Sequence, residues 1–342
     1  AKATGRFWRN VSRSLPAADG MAGATPLIWV LVDPRAGTAN QALGVADKLG
    51  LAFVEKPLEY SGFARLPNFG ASLRALTAAS KATIEPPWPD MVIAAGRRSA
   101  AVARYVRKQS PSTRLIQIMD PGGDLSVFDL LAIPAHDKPP VADNILPVTG
   151  APHRINADGL KAAGQEWIDR FEGMPRPWIA VLVGGATKRK PFPPAVAARL
   201  SKSVVALAET VGGSLLVSTS RRTGASIDAF SEELPSASYL YRYDDPGPNP
   251  YHGLLALADG IVVTGDSVSM VCEACAPGVP VWIFSPPGFA IEKHESLHRD
   301  LYERGAARPL SDEWTDWQPA PLDEAARIAV RARDLLSLGD DA

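Results

Sequence analysis

Short apolar runs alternate with amphipathic segments along most of this chain. Between residues 25 and 150 the pattern predicts strands at 27–32, 51–54, 91–95, 114–118, 130–133 and 145–148. Amphipathic helices are expected between them at 39–49, 71–80 and 100–108. The strands are continuous apolar runs, which is typical of parallel strands covered on both faces. The pattern therefore predicts a doubly wound α/β unit.

The same alternation restarts after a break at residues 151–177. Strands are predicted at 178–183, 213–218, 239–241, 260–264 and 281–284, and helices at 194–211, 225–233, 250–258, 267–276 and 294–304. The break holds one predicted helix, 158–171, and the run GMPRP. A last helix at 322–336 is expected to return to the first unit.

The fold class predicted from this pattern is α/β, with two facing Rossmann-like domains and a ligand cleft at the carboxyl ends of their strands. The predicted segments are a basic N-terminal segment (1–24), an N-terminal domain (25–150), a linker (151–177), a C-terminal domain (178–318) and a returning helical segment (319–342).

Composition narrows the class of protein. The net charge of −1 over 342 residues argues against a nucleic-acid binder, because such proteins carry a clear basic excess. Two cysteines fit a reducing compartment. No apolar run approaches the ~20 residues that cross a bilayer, and no signal peptide is evident, so a cytoplasmic protein is expected.

The first twenty residues have a different composition from the rest. Basic side chains alternate there with aromatic and aliphatic ones, as in the run GRFWRNVSRSL. Such a segment could contact an anionic membrane surface, which would place the protein on the inner face of the membrane. A frayed or docked terminus is the alternative.

The segment GIVVTGDSVSMVCEACAPGVPVWIF, residues 260–284, is the most informative stretch. A buried strand runs into a Gly265-Asp266-Ser267 turn, and a short helix and a second strand follow. Ser267 is expected to cap the helix, whose N–H groups attract anions. Ser269 and Glu273 share one helix face beside that end. This combination suits a nucleotide or a nucleotide-sugar.

Two more loops of the second unit, GGATKRK (184–190) and STSRRTG (218–224), each follow a strand and carry similar chemistry. Neither has P-loop spacing, but glycines, hydroxyls and cations at three strand ends of one sheet are expected to converge on one diphosphate. The predicted donor-binding residues are Gly184, Gly185, Thr187, Lys188, Ser220, Arg221, Arg222, Gly265, Asp266, Ser267, Ser269 and Glu273.

The first loop of the chain, DPRAGTANQ, follows the first predicted strand. It lacks the G-x-G-x-x-G pattern, so a dinucleotide site is not supported. Two interpretations stay open: an ordinary strand–helix turn, or a loop that contacts the acceptor or the donor's sugar. The predicted acceptor-binding residues are Asp33, Arg35, Gly37, Asn40 and Gln41.

Three residues of the first half compete for the role of general base. Asp120, His136 and His153 each follow an apolar strand of the first half, and both histidines could face the cleft. A histidine titrates near neutral pH, although a titratable ring alone does not make a base. Asp120 and His136 are the predicted catalytic residues.

Two other motifs are interpreted as structural. His294-Glu295-Ser296-Leu297-His298 matches H-E-x-x-H, but no third ligand can be singled out, so no metal site is predicted. Cys272 and Cys275 form a C-x-x-C pair inside a predicted helix rather than at its start, so buried thiols are expected.

These motifs together resemble a known family. VDPRAGTANQALGVADKLG, LVGGATKRKPF, STSRRTG, NPYHGLLALADGIVVTGDSVSMVCEACAPGVPVWIF and EKHESLHRDLYERGAARP are similar to the "elongated mitochondria" family of mitochondrial fission proteins. The resemblance implies a GT-B glycosyltransferase architecture, similar to the lipid-linked N-acetylglucosaminyltransferase of peptidoglycan synthesis. It implies Glu273 on the ribose or sugar and an acceptor in the first domain. Asn40 and Gln41 stand where the peptidoglycan enzyme has a Gly-Gly-His element.

The sequence and the resemblance together predict a metal-independent glycosyltransferase. It would move a sugar from a nucleoside diphosphate sugar, its donor substrate, to a cell-envelope or lipid-linked glycan, with no further cofactor. The first alternative is a non-catalytic adaptor on the same scaffold, because plant members of the family are thought to recruit a dynamin-like partner at a membrane. The second is a nucleotide-sugar epimerase. The oligomeric state is left open.

Overall fold

The computed structural model describes residues 25–61, 73–311, 313–315 and 317–336. The basic segment 1–24 lies outside the described residues, and so does the membrane contact predicted for it. The described residues form two six-stranded sheets, each wholly parallel. This arrangement confirms the predicted pair of Rossmann-like units.

The first sheet has the strand order β2-β1-β3-β4-β5-β6. Its strands are β1 (Ile28–Val32), β2 (Val54–Pro57), β3 (Met91–Ala95), β4 (Arg114–Ile118), β5 (Leu130–Pro134) and β6 (Ile145–Val148). The helices are α1 (Ala36–Leu49), α2 (Ala78–Ala82) and α3 (Gly96–Gln109). Strand order reverses between β1 and β3, and such a switch point opens a crevice at the carboxyl ends of the strands.

The second sheet has the order β12-β11-β10-β7-β8-β9. Its strands are β7 (Trp178–Val183), β8 (Ser214–Thr219), β9 (Ser238–Tyr241), β10 (Gly260–Thr264), β11 (Val281–Phe284) and β12 (Arg308–Pro309). The helices are α4 (Ala157–Phe171), α5 (Pro194–Val211), α6 (Ser226–Ser231), α7 (Tyr251–Leu257), α8 (Val268–Ala274) and α9 (Glu292–Glu303). Its switch point lies between β7 and β10.

Both sheets are buried on both faces, which explains the continuous apolar runs. In β1, Ile28 and Val30 pack into one apolar cluster, while Trp29 and Leu31 pack into another on the opposite face. Every residue of β7 is buried. Removal of this apolar surface from water is the main force that holds each sheet between its helices.

The last helix, α10 (Glu324–Leu335), packs on the first sheet rather than the second. Ile328 and Ala329 are buried in the same cluster as α1. Lys48 Nζ lies 2.5 Å from Asp323 Oδ2, and Arg333 Nη2 donates to the carbonyl of Leu49 at 2.7 Å. Helix α10 therefore stabilises the first unit, against which it packs beside α1.

Two predicted elements differ from the structure, and one strand was not predicted. The helix expected at 71–80 is a 3₁₀ turn (Leu73–Ala75) followed by the short α2, because the amide of Ser61 donates to Ala75 and that of Thr77 to Glu59. Residues 71 and 72 lie outside the described part. β2 starts at Val54 instead of 51, where it pairs with Trp29. The sequence missed β12, whose two residues are exposed.

Candidate functional site

The carboxyl edge of the second sheet is built around two glycines that follow β7. A Cβ at Gly184 would overlap the carboxylate of Asp266, and one at Gly185 would overlap the backbone of Arg222. Gly185 also has a φ of +152°, a backbone angle that residues with a side chain rarely adopt. The loops after β7, β8 and β10 can therefore meet closely only because these two positions carry no side chain.

Asp266 ties the same three loops together. Its buried Oδ2 lies 2.6 Å from Arg222 Nη1 and accepts from the Gly185 amide at 3.1 Å. Arg222 also donates to the carbonyls of Gly185 and Ala186 at 3.2 and 3.3 Å. The structure thus uses Arg222 and Asp266 to organise the loops, although the sequence suggested them as direct ligand contacts.

Three exposed cations lie at this edge among the described residues: Lys188, Arg189 and Arg221. Thr187 closes its own turn, because its Oγ1 accepts from the amides of Lys190 and Arg189 at 3.0 and 3.3 Å. Ser220 Oγ donates to the carbonyl of Gly184 at 2.7 Å. Of the loop side chains predicted to bind a diphosphate, Lys188 and Arg221 are the exposed ones.

Helix α8 begins as the sequence predicts. Ser267 Oγ accepts from the amide of Met270 at 3.5 Å and caps the helix. Ser269 lies in the first turn and approaches the first sheet, since a Cβ at Gly37 would lie 3.5 Å from its Oγ. The starts of α1 and α8 therefore face each other across the cleft between the two sheets.

Glu273 is paired with a tyrosine that sequence reasoning did not select. The hydroxyl of Tyr251 donates to Glu273 Oε2 at 2.6 Å. Burial raises the pKa of Glu273, and the hydrogen bond from Tyr251 opposes this rise. Burial and the nearby carboxylate hold the pKa of Tyr251 well above its usual value. The signal available in the sequence was the NPY segment, which carries part of the family resemblance.

A groove of about 170 Å³ opens beside this pair. Its lining includes Ser220, Arg221, Tyr243, Asn249 and Tyr251. Two aromatic rings, an amide, hydroxyls and a cation in one groove suit a heterocyclic base with polar edges. The sequence analysis selected only the serine and the arginine of this set.

The two histidines of the H-E-x-x-H match pack behind the Gly265-Asp266 turn. A Cβ at Gly265 would lie 2.5 Å from His298 Cε1, so glycine is required there as well. Burial and the neighbouring His294 lower the pKa of His298 to about 4. Across the described residues, no three His, Cys, Asp or Glu side chains are placed to hold a metal ion.

At the first sheet, Asp33 is buried at the end of β1 and holds two arginines. Its Oδ1 accepts from Arg35 Nε at 2.9 Å and from Arg98 Nη2 at 3.0 Å. Burial opposes ionisation, but these partners outweigh it and hold the pKa of Asp33 below its usual value. Gln41 Nε2 donates to the carbonyl of Gly37 within α1 at 3.2 Å, and Asn40 is half-buried. Of the predicted acceptor residues, Arg35 and Gly37 are exposed at the cleft.

The two predicted catalytic residues lie at different places on the first sheet. Asp120 follows β4, accepts from the amide of Gly122 at 2.8 Å and lies 3.7 Å from Arg97 Nη2. His136 lies in a 3₁₀ turn after β5, where burial lowers its pKa. Its neighbour Asp137 is 2.7 Å from Lys293 of α9. His136 is therefore beside the second unit, and Asp120 is beside an arginine.

The remaining titratable candidates are structural. His153 is buried at the start of the segment 151–177, and its Nε2 contacts the carbonyl of Leu322, just before α10, at 3.0 Å. Cys272 and Cys275 are free and buried. The Sγ of Cys272 accepts from the amide of Ala151 at 3.2 Å, and burial raises its pKa to about 12. The buried thiols agree with the helix-interior position of the pair.

A model of the family Mitochondrial fission ELM1 matches residues 36–336. The chain belongs to this family. An uncharacterized protein of Rickettsia prowazekii (strain Madrid E) is 30% identical to this ELM1-family chain over 342 residues, covering 88% of the chain and 96% of that protein. The Mitochondrial fission protein ELM1 of Arabidopsis thaliana is 29% identical over 290 residues, covering 77% and 67% respectively.

Solved structures show that the ELM1-family chain shares a GT-B architecture. The UDP-GlcNAc 2-epimerase from Methanocaldococcus jannaschii superimposes with a TM-score of 0.57 at 12% identity, covering 91% of this chain and 99% of that one. A second structure of that enzyme, in complex with UDP-GlcNAc and UDP, gives a TM-score of 0.52 at 12% identity, covering 92% of this chain and 100% of that one.

Among the described residues, no helix combines the length and the hydropathy that crossing a bilayer requires.

Proposed function

We propose that this ELM1-family chain binds a nucleoside diphosphate sugar at the carboxyl edge of its second sheet and transfers the sugar to an acceptor on the first. In this proposal residues 178–318 form the donor domain, residues 25–150 form the acceptor domain, and 151–177 link them. The M. jannaschii epimerase of similar fold is in complex with UDP-GlcNAc and UDP, so uridine nucleotides are the first ligands to test.

One observation carries the proposal: the loops after β7, β8 and β10 are held together around the switch point. Gly184 and Gly185 permit the close approach, and the Arg222–Asp266 ion pair fixes it. Lys188 and Arg221 remain exposed beside these three loops. A diphosphate there would meet backbone N–H groups and two cations, which stabilise negative charge on a departing nucleoside diphosphate.

Glu273 and Tyr251 would orient the donor. The carboxylate of Glu273 accepts from Tyr251 and can also accept from a ribose or sugar hydroxyl next to the groove. On the acceptor side, Asp120 or His136 would take the proton of the attacking hydroxyl. A general base must lie within hydrogen-bond reach of that proton, so closure of the cleft decides between them.

Calorimetric titration with UDP, UDP-GlcNAc, GDP and CMP tests the donor site. We expect one nucleotide to bind, and the double substitution Lys188→Ala/Arg221→Ala to weaken it by at least about tenfold, since charge-assisted hydrogen bonds contribute ~1.5–3 kcal/mol each. Arg199→Ala, at an exposed position on α5, is the matched control. If none of these four nucleotides binds, the proposed donor site is wrong.

The second proposal is a non-catalytic adaptor, and the fission name of the Arabidopsis relative supports it. An adaptor keeps the fold without turnover, so its function survives loss of Lys188 and Glu273. Complementation of a fission or growth phenotype with Glu273→Ala distinguishes the two, because an enzyme loses function and an adaptor does not. NMR of the products separates transfer from epimerisation of the donor sugar.

A further inference from the structure

A second group of cations lies at the carboxyl edge of the first sheet, outside the proposed donor site. Arg35 follows β1, and Arg97 and Arg98 lie in the first turn of α3, directly after β3. These two strands flank the switch point of the first sheet. The three arginines are therefore brought together at the position where α/β sheets bind ligands.

One buried carboxylate orients two of these guanidinium groups. Asp33 accepts from Arg35 Nε at 2.9 Å, and Arg98 Nη2 lies 3.0 and 3.1 Å from its two oxygens. Arg98 also stacks over the ring of Tyr60, 4.2 Å from the ring centroid. Because the side chains are already fixed, they lose little conformational entropy when a ligand binds.

Positive charge remains at this edge after internal pairing. Asp33 and Asp120 supply two carboxylates against the three arginines. Arg35 and Arg97 are 58% and 74% exposed in their side chains, and the contact of Arg97 with Asp120 is a loose 3.7 Å. Such donors are available to a ligand in solution.

The position of these arginines relates them to the second sheet. Gly37, two residues after Arg35, faces Ser269 of α8 across the cleft. A group bound by Arg35 would thus lie on the acceptor side, opposite the proposed diphosphate.

We infer that Arg35, Arg97 and Arg98 bind a phosphate monoester carried by the acceptor. Guanidinium groups bind oxyanions through paired N–H donors, and a phosphate offers three oxygens to three arginines. The role as acceptor rests on the proposed function, whereas phosphate binding at this edge does not. The phosphate can belong to a soluble sugar phosphate or to a lipid headgroup.

Binding of glucose 1-phosphate, measured by calorimetry in the presence and absence of UDP, tests the inference. A second arm measures sedimentation with phosphatidylcholine vesicles that contain phosphatidic acid. Arg35→Gln/Arg97→Gln removes the two exposed donors and leaves Arg98 on Asp33, so the fold is retained. Arg331→Gln, exposed on α10, is the matched control, and Arg221→Gln reports on the donor edge.

We expect the double variant to lose at least about tenfold in affinity in one arm, and Arg331→Gln to bind as wild type does. Arg221→Gln should bind glucose 1-phosphate as wild type does when UDP is absent. The arm that responds identifies a soluble or a lipid phosphate. Absence of binding in both arms overturns the inference, and so does binding that only Arg221→Gln weakens. If none of the nucleotides tested above binds while the double variant still loses glucose 1-phosphate, the proposed function fails and this site stands.

Discussion

Burial and one hydroxyl act in opposite directions on the pKa of Glu273, and burial has the larger effect. The hydrogen bond from Tyr251 opposes the rise that burial imposes on the pKa of this carboxyl group. The hydroxyl of Tyr251 therefore favours the carboxylate form of Glu273, the form that can accept a hydrogen bond from a ligand hydroxyl.

Tyr251→Phe is expected to raise the pKa of Glu273 further, because burial then acts without opposition. Nucleotide binding should weaken, and its loss on acidification should begin at a higher pH than in wild type. Calorimetric titration over a pH series measures both effects. Tyr302→Phe, on α9, is the control. Equal pH profiles in wild type and Tyr251→Phe would contradict this role.

His298 makes stability depend on pH. Burial first, then the neighbouring His294, lowers its pKa from 6.5 in the free residue to about 4 in the folded chain. The unfolded chain thus takes up this proton at higher pH, and acidification from pH ~6.5 towards ~4 favours unfolding. The contribution lost over that interval is about 3 kcal/mol.

His298→Gln should flatten this part of the stability profile, even if the variant is less stable at pH 7. Urea denaturation at several pH values gives the free energy of unfolding of both proteins. A slope between pH ~6.5 and ~4 that is the same with and without the imidazole would be evidence against a buried neutral His298.

At the scale of elements, α10 stabilises a sheet from which it is distant in sequence. Ile328→Ala should lower the free energy of unfolding by ~2–4 kcal/mol, because a fully buried side chain leaves a cavity against α1. Val330→Ala, two residues away and 59% exposed, should change it by less than ~0.5 kcal/mol. Urea denaturation measures both. Similar losses for the two variants would mean that α10 is not packed as described.

Sequence could predict the elements with a local cause. Continuous apolar runs identified the strands of both sheets except the exposed β12, and the position of Ser267 before its helix predicted its capping role. The pairings that build the sites are different, because they join residues far apart in the chain: Tyr251 and Glu273 are 22 residues apart, and Asp33 and Arg98 are 65 apart. No local pattern records which tyrosine or arginine a given carboxylate will meet.

At the scale of the molecule, Gly150 controls how closely the two units approach. It has a φ of +74°, and a Cβ there would overlap Cys272 Sγ of α8. The amide of the next residue, Ala151, donates to that same sulfur. Strand β6 of the first sheet and α8 of the second are thus joined at a contact that admits no side chain.

Gly150→Ala is expected to destabilise the chain by more than Gly173→Ala. Gly173 has a similar φ of +89° but nothing within 4 Å, so it reports the backbone cost alone. That cost is about 1–2 kcal/mol, and overpacking at Gly150 should add ~1–3 kcal/mol. Urea denaturation compares the variants, and small-angle X-ray scattering shows whether Gly150→Ala spreads the two units. Equal losses would dismiss the steric role.

The reactivity of the thiol at this contact also reports how often the two units separate. Cys272 is fully buried, and its sulfur accepts a backbone hydrogen bond from the first unit. An alkylating reagent can reach it only when the two units part or the helix unfolds, since the thiol must be exposed and must lose its proton to react. The rate at which Cys272 is alkylated therefore measures the frequency of those openings. A ligand that holds the cleft closed would lower this rate.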